Sequence, residues 1–279
     1  LRAQNRFAPA SSLMAESVAR TRAIYGERHP NTANAFNNLG GLLRLQGREA
    51  EAESLYRQAL DAGRESLGDD HPLTAAILNN LASLLLYQER YPEAEPLYHR
   101  TLAMRRDIYG EDHPAVATAL QNLAILLQRD GREEEAEPYY RDALDLRRRL
   151  LGDEHPRVAS TLLGLGMLLL DRGDAAAAEP LLAECTAIRR AHGDKLRPET
   201  VMAENTWGAC LAELGEDARA ESLLVSGIPE LLADPQTADH LKRRALQYII
   251  DFYEDRGRGA EAASYRNELG RYLVSEEGR

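Results

Sequence analysis

The sequence of 279 residues has few of the features that mark disulfide-rich, secreted or membrane proteins. It contains two cysteines, Cys185 and Cys210, which form no CxxC pair, whereas a disulfide scaffold of this length would need many more. No apolar run approaches the roughly 18 to 20 residues that span a bilayer, and the first residues, LRAQNRFAPA, contain no signal-peptide core. We therefore expect a cytoplasmic protein without membrane contacts, whose cysteines are buried and reduced.

Positive charge is scarce as well. The chain has 34 lysines and arginines against 45 aspartates and glutamates, and its formal net charge is -11. Because nucleic-acid binding needs clustered cations, we expect no nucleic-acid partner, although a local basic stripe stays open as an alternative. The sequence also lacks strand patterns, a nucleophile elbow, a phosphate-binding glycine loop and a HExxH helix. We therefore expect neither an enzyme nor a bound cofactor.

What the sequence does contain is a repeat. The dipeptide His-Pro recurs every 42 residues, at His29-Pro30, His71-Pro72, His113-Pro114 and His155-Pro156, and Pro198 continues the series without its histidine. The segments that follow also match, since NTANAFNNLGGLLRLQG after the first pair corresponds to LTAAILNNLASLLLYQE after the second. Self-similarity at a constant step indicates an array of one small structural unit.

Each unit is predicted to form two helices, which we name helix A and helix B. Proline suits the first helical turn, so His-Pro predicts the start of helix A. The apolar face of helix A in the second unit lies at Leu78, Leu81 and Leu85, which is an amphipathic spacing. Helix A is predicted to end at a left-handed glycine in successive units, namely Gly47, Gly131, Gly173 and Gly215, with Glu89 as the exception.

Small residues recur at one position of each helix. They are Gly40, Ala82, Ala124, Gly166 and Gly208 on helix A, and Ala52, Ala94, Ala136, Ala178, Ala220 and Ala262 on helix B. Small side chains let two helix axes approach closely, so these columns predict where helix A touches helix B. In the last unit Ile250 fills the small position, which favours a terminal cap or a contact surface there.

These blocks, with LNNLA in helix A and EAEPLY in helix B, make the chain resemble the tetratricopeptide repeat family, in its 42-residue kinesin-light-chain-like variety. The resemblance covers essentially the whole chain. It implies an all-α fold, an α-solenoid of antiparallel helix pairs wound into a right-handed superhelix. It divides residues 31–279 into five clear repeats and an atypical terminal repeat, at 31–72, 73–114, 115–156, 157–198, 199–239 and 240–279.

Residues 1–30 align with the end of helix A and with helix B of a preceding repeat. We therefore expect the chain to begin in mid-repeat, as a fragment or processed piece of a longer protein.

The repeated histidines do not fit a metal site. Zinc ligands lie about 2.0 to 2.1 Å from one ion, whereas successive repeats are about 10 Å apart. We expect no bound metal and interpret the histidines as loop residues that stabilise the helix starts. These histidines are His29, His71, His113 and His155.

A column of amides is the main candidate binding feature. Its members are Asn37, Asn79, Gln121 and Asn205, and Leu163 interrupts it. The resemblance places this column, with the residues three earlier and four and seven later, on the inner concave face. An amide both donates and accepts hydrogen bonds, so a row of amides can pair with the backbone of an extended peptide. For the neighbouring column of Asn38, Asn80 and Asn122 we favour bonds to an adjacent helix or loop.

The predicted peptide-binding set changes in character along the array. Its polar part consists of Asn34, Asn37, Arg44, Asn79, Ser83, Gln121 and Asn205. Its apolar part consists of Ile125, Leu163, Met167, Leu170 and Met202, for which packing against helix B or the next repeat is an equal alternative. Arg44 and Arg129 on or near the inner face leave an acidic partner open. Trp207 aligns with core leucines and is expected in the core.

These features predict a non-catalytic scaffold or adaptor that binds an extended segment of another protein in its concave groove. Two other functions stay open. One is a regulatory or sensor region of a larger signalling protein, such as a kinase or NTPase. The other is a self-association module that forms homo-oligomers through the atypical terminal repeat.

Overall fold

The structure, a computed structural model, describes residues 4–193, 198–235, 237 and 239–273. These residues form fourteen helices and no strand, so the fold is all-α as predicted. The helices are α1 (Gln4–Tyr25), α2 (Pro30–Leu45), α3 (Glu49–Leu67), α4 (Pro72–Tyr87), α5 (Tyr91–Tyr109), α6 (Pro114–Arg129), α7 (Glu133–Leu151), α8 (Pro156–Asp171), α9 (Ala175–Ala191), α10 (Pro198–Glu213), α11 (Asp217–Val225), α12 (Ile228–Ala233), α13 (Asp239–Asp255) and α14 (Gly259–Leu273). None of the helices in this described part is both long and apolar enough to cross a membrane.

Helices α2, α4, α6 and α8 are the A helices of the first four repeats, and each begins at the proline of a His-Pro pair. In all four, the histidine Nδ1 accepts a hydrogen bond from the backbone N–H two residues later, at 3.1 to 3.2 Å. The first N–H groups of a helix have no partner within the helix, so the histidine ring satisfies one of them. The prediction that these histidines stabilise the helix starts is confirmed.

Each turn from helix A to helix B contains a residue in the left-handed conformation. The predicted glycines have φ between 74° and 80°, and they are Gly47, Gly131, Gly173 and Gly215. Glu89 holds the equivalent position in the second repeat with φ 60°, and among the described residues it is the one non-glycine residue with positive φ. The turn therefore keeps its geometry even where a side chain makes that conformation less favourable.

The small-residue columns lie where helix A and helix B of one repeat touch. Ala82 is fully buried at this contact. A Cβ atom on Gly166 would lie 2.6 Å from Leu182 Cδ2, and one on Gly208 would lie 3.0 Å from the backbone nitrogen of Leu224. Larger side chains would force the helices apart, so the predicted close approach is confirmed.

The chain divides into two compact units, Leu1–Leu146 and Arg147–Arg279, which we call unit 1 and unit 2. In unit 1 each of the helices α1 to α5 packs on the next one, up to α6. In unit 2 the same holds from α8 to α11, and α13 packs on α14. Consecutive packing of helix pairs is the architecture of a tetratricopeptide solenoid.

The predicted repeat boundaries stay predictions. In the segment 1–30, α1 takes the position of helix B, and residues 1–3 lie outside the described part.

Neighbouring B helices of unit 1 are joined by arginines in the turns that precede them. Arg90 Nη1 donates to Glu53 Oε2 at 2.7 Å, and Arg132 Nη1 donates to Glu95 Oε2 at 2.8 Å. Each arginine also donates to the glutamate three residues later in the sequence, Arg90 to Glu93 and Arg132 to Glu135. Burial acts to raise the pKa of Glu53, but hydrogen bonds from Arg90 and Arg57 outweigh it and bring the pKa below its ordinary value.

Helix B of the fifth repeat is broken, which the sequence analysis does not predict. Gly227, with φ 85°, separates α11 from α12. A Cβ atom here would lie 2.8 Å from Val201 Cγ2, so the break lets the backbone approach α10. The buried Lys242 of α13 donates to the carbonyls of Leu232 at 3.1 Å and Asp234 at 2.7 Å. It therefore caps the end of α12.

Candidate functional site

We use the term inner face for the helix A positions that form the amide column and for the positions three before, four after and seven after it. In unit 1 these positions are accessible on α2, α4 and α6. Asn34 and Arg44 are exposed. The half-buried members of the predicted set are Asn37, Asn79, Ser83, Gln121 and Ile125. Because α2 packs on α4 and α4 on α6, unit 1 brings these residues together in adjacent rows.

The two asparagine columns of unit 1 bond to each other across repeats. Asn80 Nδ2 donates to Asn37 Oδ1 at 2.9 Å, and Asn122 Nδ2 donates to Asn79 Oδ1 at 2.8 Å. We call these two hydrogen bonds the amide ladder. For Asn80 and Asn122, the predicted tie to an adjacent helix is confirmed. The ladder satisfies half-buried polar groups and fixes the register of neighbouring A helices.

The amide ladder uses only part of each first-column side chain. Within the described residues, Nδ2 of Asn37 and Nδ2 of Asn79 donate no hydrogen bond. Each side chain therefore keeps two N–H donors at a half-buried, accessible position. Asn38, the first member of the second column, is exposed and likewise has no partner in that part of the chain.

Hydroxyl groups connect the inner face to helix B. Ser83 Oγ donates to the carbonyl of Asn79 at 2.7 Å and lies 3.0 Å from Tyr98 OH. In the next repeat Tyr140 OH donates to Gln128 Oε1 at 2.9 Å. Burial raises the pKa of Tyr98, although its hydrogen bond with Ser83 acts in the opposite direction. The phenol is therefore a neutral hydrogen-bonding group near pH 7.

Two arginines border the inner face of unit 1. Arg44 and Arg129 are exposed in the last turns of α2 and α6, and no carboxylate of the described residues pairs with either. Both charges act to lower the pKa of Tyr98, against the larger effect of burial, which shows that both lie near its hydroxyl. An acidic group on a ligand would therefore meet two cations that have no carboxylate partner.

The apolar residues predicted for the later repeats are less accessible. Leu163 and Met167 of unit 2 are half-buried. Leu170 and Met202 are 5% and 4% exposed, respectively. They lie in the core of unit 2, where a ligand cannot contact them in this conformation. Their role in peptide binding stays a prediction.

Two further residues of α10 bond within unit 2. Asn205 is fully buried, and its Nδ2 donates to the carbonyl of Leu224 at 3.1 Å, in the last turn of α11. This amide therefore joins helix A to helix B and does not face a ligand in this structure. Trp207, expected in the core, is half-buried, and its Nε1 donates to Glu179 Oε1 at 3.2 Å.

The chemistry that unit 1 offers is non-covalent recognition, through amide donors, two cations and the apolar side chain of Ile125. In the part of the chain that the structure describes, no group of three or more His, Cys, Asp or Glu side chains could hold a metal ion.

A family model for the tetratricopeptide repeat matches residues 1–65, 37–107, 73–149 and 122–191. No curated protein matches the chain. The structure is similar to that of BtubC (BKLC) from P. vanneervenii, with a TM-score of 0.59, 23% identity, and coverage of 99% of this chain and 93% of that chain. It is also similar to a putative kinesin light chain from Podosopora anserina with nearly identical TPR-like repeats, with a TM-score of 0.62, 21% identity, and coverage of 75% and 99%.

A third similar structure is that of a Rap protein complexed with Competence and Sporulation Factor, with a TM-score of 0.65, 15% identity, and coverage of 97% of this chain and 82% of that chain. At these identities the likenesses show the fold. The family model, by contrast, covers more than half of the sequence. Proteins of this family typically mediate interactions with other proteins, and their repeat fold is generally a non-catalytic scaffold. The chain belongs to the tetratricopeptide repeat family.

Proposed function

We propose that this chain is a non-catalytic scaffold or adaptor that binds an extended segment of another protein along the inner face of unit 1. The observation that carries the proposal is the amide ladder. It holds Asn37 and Asn79 through their Oδ1 atoms and leaves their Nδ2 donors unused. Donors that are already fixed in position lose little side-chain entropy when a ligand binds.

Recognition of main-chain carbonyls fits the spacing of these donors. Packed A helices of successive repeats are about 10 Å apart. An extended chain rises about 3.3 Å per residue. Donors in successive repeats therefore meet carbonyls about three residues apart, whatever side chains the ligand carries. Ile125 adds an apolar contact, and Arg44 and Arg129 favour a ligand segment that includes a carboxylate.

A regulatory or sensor region of a larger signalling protein is the second candidate function. The likeness to a Rap protein complexed with Competence and Sporulation Factor supports it, because that protein has a similar fold and is bound to a factor. Both candidates use the same binding surface, and they differ in what the bound segment controls. Self-association through the terminal repeat remains a third prediction, which measurement of the mass in solution tests.

The test of the first proposal replaces Asn79 by Asp in the intact chain, once a partner has been captured with that chain and identified. Aspartate keeps the oxygen that accepts from Asn122 but has no N–H to donate. The amide ladder therefore survives while the donor to the ligand is lost. We expect binding to weaken by about 1 to 3 kcal/mol in a calorimetric titration, and the unfolding midpoint to change little.

The matched control is Asn38→Asp, which adds the same charge to a neighbouring exposed amide outside the inner face. This variant should bind the partner as the original chain does. Equal weakening by both variants would assign the effect to charge, and an unchanged affinity of the Asn79→Asp chain would remove the amide ladder from the binding site.

A further inference from the structure

The inner face of α10 in unit 2 is covered. Its inner-face residues Met202 and Ala209 are buried, with exposed fractions of 4% and 8%, while Asn205 is buried against Leu224 of α11 and Ala212 is half-buried. The equivalent positions on α2, α4 and α6 of unit 1 are exposed or half-buried at every repeat. The repeat register is the same in both units, so another part of unit 2 must cover α10.

Helix α13, like α12, packs on α10, and its Arg256 donates to the carbonyl of Ala212. It packs on α10 more extensively than α4 packs on α2, α6 on α4, or α10 on α8, all of which are pairs of successive A helices. Helix α13 therefore does not continue the stacking of the preceding A helices.

An ion pair shows the direction in which α13 crosses the unit. By the 42-residue register Arg244 is equivalent to Ser160 of α8. Instead its Nη2 donates to Asp171 Oδ1 at 2.5 Å, in the last turn of α8. That position is 11 residues further along the helix, or about 16 Å at 1.5 Å per residue. Because Arg256 of the same helix reaches the carbonyl of Ala212 near the end of α10, α13 crosses α10 on its way to α8.

The environment of Arg244 holds it in this position. Its Nε donates to Tyr248 OH at 2.7 Å, one turn further along α13. Burial and the charge of Asp171 raise the pKa of Glu213, so the last residue of α10 lies at the same cluster. Asp171 therefore lies between the guanidinium of Arg244 and the carboxylate of Glu213 in electrostatic reach of both.

We infer that α13 is an intramolecular occupant of the inner face of unit 2, held there by Arg244 on Asp171, and that a ligand of this face must displace it. The occupant also shows which ligand fits: an amphipathic helical segment with an arginine and an aromatic residue one turn apart, as Arg244 and Tyr248 are in α13. Displacement exposes Leu170, Met202 and Ala209 to the apolar side of such a segment. This extends the proposed function to unit 2, and its test needs no ligand.

The experiment follows the chemical accessibility of a thiol under α13. In the full chain, Cys185 and Cys210 are replaced by Ala, and Ala209→Cys places one thiol on the inner face of α10. A second protein keeps the native Cys185, which is fully buried in α9, as a reporter of the core of unit 2. Each is prepared with Arg244, with Arg244→Glu, and with Arg244→Glu combined with Asp171→Arg. The rate of reaction with a thiol reagent is then measured under native conditions.

We expect Arg244→Glu to speed the reaction at position 209 by about tenfold or more, because the new carboxylate faces Asp171 and Glu213. The reversed pair should restore a slow reaction, and Cys185 should stay slow throughout. An unchanged rate at position 209 would overturn the inference. So would failure of the reversed pair to restore protection, or equal acceleration at Cys185, which would make Arg244 a support of the whole core of unit 2.

Discussion

In unit 1 the inner-face positions of α2, α4 and α6 are exposed or half-buried, whereas in α10 of unit 2 the equivalent Met202, Asn205 and Ala209 are buried. Both units share the 42-residue register and the small residues between helix A and helix B. The shared residues therefore determine how helices pair within a repeat. By the inference drawn above, access to the inner face of unit 2 depends on a residue outside the repeat signature, Arg244 on α13.

The largest expected effect tests what the two units share. Replacing Ala82 by Leu puts three more heavy atoms into a contact where Ala82 is fully buried, and we expect a loss of about 2 to 3 kcal/mol in the free energy of unfolding. Gly208→Leu should cost at least as much in unit 2, because backbone atoms of Leu224 and Ala220 lie 3.0 and 3.1 Å from the added Cβ. Urea unfolding followed by circular dichroism measures both.

Ala76→Leu is the control for this pair, because Ala76 lies on the half-buried inner face of α4, where an added side chain can extend outwards. Its unfolding midpoint should stay close to that of the original chain. If Ala82→Leu behaves like Ala76→Leu, the small-residue column is not the site of closest helix approach.

A smaller effect concerns the arginine bridges between B helices of unit 1. Glu53→Gln removes the charge that Arg90 and Arg57 contact, and we expect a loss of about 1 to 2 kcal/mol at pH 7. The folded-state pKa of Glu53 is below its ordinary value, so its contribution is present above the unfolded pKa of about 4.3 and disappears as the pH falls through the folded value. The difference in thermal stability between the two proteins should therefore be full at pH 7 and shrink as the pH falls through the folded pKa of Glu53, which thermal melts over a descending pH series measure.

Glu51→Gln gives the comparison for the bridge. Glu51 is exposed and pairs with Arg48 three residues earlier in the same repeat. An exposed local pair contributes little, so this change should cost less than Glu53→Gln. Equal losses would mean that the bridge between Glu53 and Arg90 of the following repeat adds no stability.

The smallest effect concerns the helix starts. His71→Ala removes the acceptor for the N–H of Leu73 and should cost about 0.5 to 1 kcal/mol. His71→Asn keeps a side-chain acceptor at the cap and should leave the melting temperature nearly unchanged. Were the two variants equally destabilised, the histidine ring would stabilise α4 through packing and not through the hydrogen bond.

Much of the fold could be predicted from the sequence, because its signals are local. Proline at the first turn, glycine after the last turn and small residues at a constant step each act within one helix pair. Glu89 shows how strong this repeat pattern is, since it adopts the left-handed turn without being glycine. The break at Gly227 could not be predicted in the same way, because it depends on the approach of the backbone to Val201 on another helix.

The candidate site was less predictable, because its hydrogen bonds join different repeats. The amide column is visible in the sequence, but the acceptors of Asn80 and Asn122 lie in the preceding repeat, and the sequence alone does not identify them. Their side-by-side recurrence with Asn37 and Asn79 is the signal that could have revealed the pairing. The burial of Asn205 left no such signal, since it depends on the carbonyl of Leu224 on another helix.

The amide ladder also bears on how such an array grows by gene duplication. Asn79 and Asn80 are neighbours in the chain, yet Asn79 accepts from Asn122 in the following repeat and Asn80 donates to Asn37 in the preceding one. A single 42-residue segment therefore carries both halves of its junction. A tandem copy of that segment creates a complete new junction with no further substitution. Each new copy can therefore form the amide hydrogen bonds with both of its neighbours immediately, and later mutations can specialise individual copies.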